Sequence, residues 1–414
     1  MEQLHVSPDL PPVRGRAERL PLSGLLALGT AGFVTVMTEA LPAGVLPAMS
    51  ADLGVSQSRA GQAVTLFALG SVVAAVPLTK ATASWPRKRL LLTAICGFAV
   101  ANAVTAFSTS YPVTMAARFL AGLVAGLLWA LLAGYARGIV APERRGRAMA
   151  IAMAGTPVAL SVGVPAGTLL ARLTGWRVTF GLMSVFALVL ACWILRRLPD
   201  PPGRNGHAPA GSVGRVLRIA GVGAVLVVTA AFVLAHNILY TYVAALAAAA
   251  GIEDRVDAVL LVFGAFSLAS IWITGALIDR HLRALLLVAV ALFGAAALVL
   301  GLFTRSPWLL FTCASLWGLS FGGAATLLQT AVADAAADAS DIAQSLLVTC
   351  WNAGIAGGAV VGGALLDRSG PQALPWTALA LLVVCLTVTL TARRYAFPSR
   401  CAKDAGARRP DADR

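Results

Sequence analysis

Of the 414 residues, 58% are hydrophobic and 12% charged, too apolar for soluble domains, where about 45–50% and about 25% are usual. The formal net charge of +14 does not point to nucleic acid, because the basic residues sit between apolar runs and in the tails and build no basic domain. The six cysteines (Cys96, Cys192, Cys313, Cys350, Cys385 and Cys401) have neither metal spacing nor a disulfide framework, and no phosphate loop or nucleophile elbow occurs, so no enzyme, cofactor or metal is expected.

The chain opens with a tail, 1–21, that carries Arg14, Arg16 and Arg19 and no small-residue cleavage site. A membrane span needs about 20 apolar residues. Twelve such runs follow, at about 22–46, 60–80, 89–108, 113–139, 147–170, 177–197, 217–247, 257–278, 284–303, 307–333, 342–366 and 374–393. Only helices and closed barrels satisfy the backbone in lipid. These runs therefore predict an all-α polytopic membrane protein with twelve transmembrane helices. Its longest break, 198–216, holds Pro201, Pro202, Gly203, Gly206, Pro209 and Gly211 and reads as a linker. The expected units are a six-helix bundle at 22–197, a second at 217–393 and a tail at 394–414.

Orientation follows from Lys and Arg. With the N-terminus inside, the tails and even-to-odd loops hold most of the 32 basic residues. Both termini are expected in the cytoplasm. The loop between spans 10 and 11 is the exception, with Asp334, Asp338 and Asp341, but acidic residues count little in that rule. A composition rich in Ala and Arg suggests a bacterial cytoplasmic membrane.

Glu39 in span 1 is the only carboxylate that this reading places at membrane depth. Insertion scales put Asp, Lys or Arg at a helix centre about 2.5–3.5 kcal/mol uphill. An isolated acid there is expected to be protonated, paired or facing water. Arg118 in span 4 is costly for the same reason. It either snorkels to the surface or stays in the interior with Glu39 as its partner.

In span 5, Gly155-Thr156-Pro157 precedes Gly163-Val164-Pro165-Ala166-Gly167. The prolines free carbonyls and bend the helix, and the glycines admit a neighbour. Tight packing and gating are both open readings of this motif. The halves look related: Gly122 and Gly126 fall on Gly318 and Gly322, and Gly167 and Arg172 on Gly363 and Arg368, all at an offset of 196. Such duplication marks transporter folds, with a site between the halves at mid-membrane. Mid-span candidates for that cavity are Gln62, Asn102, Trp129, His236, Asn237, Tyr240, Gln329, Trp351 and Asn352. At the same offset, His236 falls one residue beyond the image of Glu39.

Thr38-Glu39 followed by Leu41-Pro42, Leu46-Pro47 and Asp52-Leu53-Gly54-Val55, then Arg118-Phe119-Leu120-Ala121-Gly122, then the span 5 motif ahead of Gly175-Trp176-Arg177, resembles the major facilitator superfamily. The likeness covers about residues 20–395. It is greatest to the drug/proton antiporters that include bacterial sugar-efflux, purine-efflux and chloramphenicol-resistance transporters. The resemblance implies two pseudo-symmetric six-helix bundles that export a small organic solute or drug by proton antiport. Glu39 and Arg118 would couple the proton, and Gly155, Pro157, Gly163, Pro165 and Gly167 would form the antiporter motif.

The sequence departs from the family after span 2, where Lys80 to Arg89 lacks the usual Asp. The loop after span 8 keeps Asp279-Arg280, which either serves as an inner-loop charge or caps a helix end. The expected partners are a small-molecule substrate, protons and the bilayer, with no nucleic acid and a monomer as sufficient assembly. A proton-coupled importer or facilitator of sugars or nucleosides stays open, as does a membrane sensor or enzyme.

Overall fold

The computed structural model describes residues 21–75, 82, 85–140, 144–199, 213–336, 339–393 and 395–397. Among these there is no strand. The first half holds α1 (Leu22–Gly44), α2 (Leu46–Asp52), α3 (Gln57–Ala75), α4 (Arg87–Phe107), α5 (Tyr111–Gly138), α6 (Arg145–Met153), α7 (Gly155–Val158), a π-helical turn (Ala159–Gly163), α8 (Val164–Thr174) and α9 (Trp176–Arg197). A short α10 (Val213–Leu217) precedes the second half. That half holds α11 (Val222–Thr241), α12 (Val243–Ala249), α13 (Val256–Leu302), α14 (Pro307–Phe321), α15 (Ala324–Ala336), α16 (Ser340–Ser369) and α17 (Ala373–Thr391).

Among the described residues, eleven helical stretches are long and apolar enough to cross a membrane. Of the twelve predicted spans, the second corresponds to α3, whose predicted continuation at 76–80 lies outside the described residues. So do most of the expected linker, most of the tails and most of the loop from Lys80 to Ser84.

The predicted loop after span 8 is reduced to a kink between two separate spans, Glu253–Ile278 and Arg280–Leu302. Spans 8 and 9, numbered together as α13, are two helices that meet at His281 (φ −132, ψ 27). Arg280 is exposed beside this kink, and Asp279 sits on the same helix, its side chain outside what is described. Charged residues at a turn read as a loop by composition, yet one residue of non-helical backbone is enough to reverse direction locally.

The duplication extends to backbone detail. The first span breaks at Val45 (φ −119, ψ 13) and the seventh at Tyr242 (φ −112, ψ 25). Beyond each break the chain turns identically. Gly54 N donates to Ala51 O and Val55 N to Ser50 O. Gly251 N donates to Ala248 O and Ile252 N to Ala247 O. Gly54 and Gly251 both have positive φ, which glycine adopts freely. The offset here is 197, so the structural image of Glu39 is His236 itself.

Between α3 and α5, and between α13 and α14, the offset is 196. The backbones pass so close that a Cβ on Gly122 or Gly126 would strike the carbonyls of Phe67 or Ser71. One on Gly318 or Gly322 would strike those of Phe263 or Ser267. Small residues are what let membrane helices approach this closely.

The halves meet through α3 and α16, where Val64 and Ala68 pack with Ile355, Ala356 and Ala359. Thr65 Oγ1 donates to Ala356 O at 3.4 Å. They meet again where the π turn and α8 lie against α13. At the end remote from Leu22 and Thr391, Arg172 of α8 bridges to Asp257 of α13 at 3.7 Å and donates to the Asp254 carbonyl.

Candidate functional site

The site begins with a missing donor. In an α-helix the Thr38 carbonyl would accept from the N–H of residue 42, but residue 42 is proline and has none. The carbonyl is fully buried and needs a partner. Arg118, on α5 and also fully buried, supplies one: its Nη2 donates to Thr38 O. Asn102 of α4 donates Nδ2 to Thr38 Oγ1 at 3.0 Å. Thr38 is thus held by side chains from two neighbouring helices, and Glu39 follows it directly.

Arg118 therefore does not snorkel. Its guanidinium lies near the faces of Phe67 and Phe180, 5.2 and 5.7 Å from the ring centroids. It acts on Glu39 electrostatically. The expected direct partnership is replaced by the bond to the Thr38 carbonyl. Nε and Nη1 of Arg118 and Oδ1 of Asn102 are buried without partners, an arrangement with donors in reserve beside a half-buried carboxylate.

In the second half the equivalent position is aromatic. His236 Nδ1 accepts from Trp317 Nε1 at 3.0 Å. The imidazole stacks on Phe321 with centroids 3.6 Å apart and planes 11° apart. Tyr240 and Phe263 complete the cluster, at 5.1 and 5.8 Å from His236. The Tyr240 hydroxyl is buried and unpartnered, and the group lies within electrostatic reach of Glu39. Trp351 touches the cluster through Phe321 at 6.0 Å.

The remaining cavity candidates divide. Gln62, Asn237 and Asn352 donate to carbonyls of their own helices, at Ser58, Val233 and Val348. Trp129 is half-buried, packed against a core of the first half and against the core that runs through both halves. Gln329 is exposed, and its carbonyl accepts from Gln344 Nε2 at 2.7 Å. The structure thus gathers Glu39, Asn102 and Arg118 into one group and His236, Tyr240 and Trp351 into another, and leaves Gln329 apart.

Phe263, Trp317 and Phe321 were not singled out from sequence, and Thr38 was named only as part of the span 1 motif. Thr38 carried a legible signal, since it lies four residues before Pro42. The aromatics carried none beyond hydrophobicity.

In the span 5 motif, a Cβ on Gly155 would strike the Gly29 carbonyl, and Gly163 and Gly167 face Met37. The motif packs its helix on α1 around Glu39. Pro157 ends no helix but sits in α7, ahead of the π turn, and Pro165 opens α8 after it. Pro165 cannot donate to the Ser161 carbonyl, which suits a widened turn there.

A family model described as Major Facilitator Superfamily matches residues 28–340 and 254–410. A chloramphenicol resistance protein of Streptomyces lividans is 34% identical over 391 residues, covering 92% of this chain and 96% of that one. A chloramphenicol efflux pump of Mycobacterium tuberculosis is 31% identical over 390 residues, covering 91% and 93%. A probable sugar efflux transporter of Haemophilus influenzae is 27% identical over 381 residues, covering 91% and 95%.

Proposed function

Because the chain belongs to the Major Facilitator Superfamily, and is a multi-pass membrane transporter of small molecules rather than an enzyme, we propose that it exports a small organic solute or drug in exchange for protons. The observation that carries this reading is Glu39, an acid in the first membrane helix with the fully buried Arg118 beside it. Intramembrane ionisable residues are expensive and mark proton or substrate paths. The names of the relatives support export and make chloramphenicol-like compounds the first substrates to try.

In this reading both termini face the cytoplasm. The Arg172–Asp257 end is then the outer one, and contact there corresponds to a state that opens inward. Glu39 takes a proton when the outer end opens, and protonation and substrate compete for the space between the halves. The inward rocking of one half against the other releases the proton, and a monomer suffices. Asp279 and Arg280 sit at the inner kink, where they can contact the opposite half when that end closes.

The test is transport in inverted membrane vesicles with an imposed proton gradient. Substrate-triggered proton movement is expected in wild type and absent in Glu39→Gln, with the variant still inserted and folded. Full coupling in Glu39→Gln would overturn the assignment of the carrier.

A further inference from the structure

We propose that Pro42 and Asn102 are positioning residues for proton coupling: together they commit Arg118 to the Thr38 carbonyl and so keep it from closing on Glu39. This rests on the proposed role of Glu39. The argument runs through one hydrogen bond. A helix residue other than proline at position 42 would donate its own N–H to Thr38 O. Arg118 would then have no obligatory acceptor on α1, and all its donors would be free for the nearest carboxylate. Charge-assisted, bidentate pairing of guanidinium and carboxylate is the strong alternative.

Asn102 holds the other polar atom of the same residue, Thr38 Oγ1, at 3.0 Å. It thereby fixes the backbone that Arg118 reads. Two observations fit a held but uncommitted guanidinium. Nε and Nη1 of Arg118 are buried without acceptors, and Phe67 and Phe180 line its sides, which leaves the cation no polar escape there. Arg118 is the charged side chain that acts on Glu39. Tyr240 approaches from α11, while His236 is turned into the aromatic cluster with Nδ1 occupied. Among the charged side chains, the carboxylate therefore answers to where Arg118 points.

The device has a functional logic. A carboxylate locked in a bidentate pair would not take a proton readily, and one with no cation nearby would not release it. Pro42 sets the intermediate condition by withholding a backbone donor, three residues from the group it serves.

The experiment is the pH profile of substrate-driven proton exchange in proteoliposomes for wild type, Pro42→Ala and Asn102→Ala, with Glu39→Gln as the uncoupled reference. Pro42→Ala restores the N–H, frees Arg118 and is expected to move half-maximal exchange toward acid by about one pH unit, the size of a nearby opposite charge. Asn102→Ala is expected to move it the same way by less. Substrate binding at fixed acidic pH is expected to change less than twofold in Pro42→Ala.

An unchanged profile in both variants, or a shift toward alkaline pH in Pro42→Ala, overturns the inference. If Pro42→Ala does not fold, Asn102→Ala and Pro42→Gly, which also restores the N–H, decide it alone. Absence of proton exchange in wild type instead defeats the proposed function, so the two failures are distinguishable.

Discussion

Arg172 of the first half and Asp257 of the second face each other at 3.7 Å, and the same guanidinium donates to the Asp254 carbonyl. Both line a cavity of about 160 Å³, together with Gly44, Thr168 and Ala244. The pair is partly exposed, so it contributes about 0.2–1 kcal/mol at most. That is enough to bias two states several-fold without locking either. Arg172→Ala is expected to raise the population open at this end by roughly two- to five-fold. Labelling of a cysteine at position 168 by a membrane-impermeant thiol reagent would measure it, and an unchanged rate would show that the pair does not restrain the gap.

The same end offers a firmer lock. A Cβ on Gly363 of α16 would lie 3.3 Å from the Ser58 Cβ of α3, close to the spacing of a disulfide. Oxidised Ser58→Cys/Gly363→Cys is expected to stop transport and recover it on reduction, with each single variant unaffected by oxidant. Transport that continues in the verified disulfide form would mean that α3 and α16 need not separate here.

Trp317 and His236 make a buried pair whose halves depend on each other. Trp317→Phe leaves Nδ1 without a donor, at a cost of about 1–3 kcal/mol. The melting temperature in detergent is expected to fall accordingly, and a second change, His236→Phe, is expected to recover part of the loss. A double variant less stable than Trp317→Phe would show that the imidazole contributes more than this hydrogen bond. Because His236 is held in an aromatic stack, His236→Gln is expected to retain proton exchange.

Gly122→Val places methyl groups against the Phe67 carbonyl. Overpacking of this kind costs about 1–3 kcal/mol or more. Reduced yield and a lower melting temperature are expected, and the same for Gly318→Val against Phe263. Wild-type stability in either would contradict the close approach of these helices.

The twelve spans were legible because lipid imposes length and apolarity, and Glu39 and Arg118 stood out because charge in such runs is rare. What joins them was not legible. Arg118 and Thr38 are 80 residues apart, and no pattern in either helix says that a side chain will answer a proline's missing N–H. The repeat was visible through glycines at an offset of 196, but the first and seventh spans follow 197. A one-residue error on a helix turns a position by about 100°, which is why His236 looked like a near miss instead of the image of Glu39. The break at Asp279 was legible from its charges, but not its brevity, because one residue of non-helical backbone at His281 makes the turn.

The replacement of an acid by His236 in the second copy has a consequence for bookkeeping of charge. Two facing carboxylates would repel and titrate as a coupled pair. An imidazole tied to Trp317 and sealed among rings puts no second carboxylate at the position that repeats Glu39. If Glu39 is the carrier and one proton crosses per turnover, expelling an uncharged solute draws one positive charge inward. The membrane voltage, as well as the pH difference, would drive the pump.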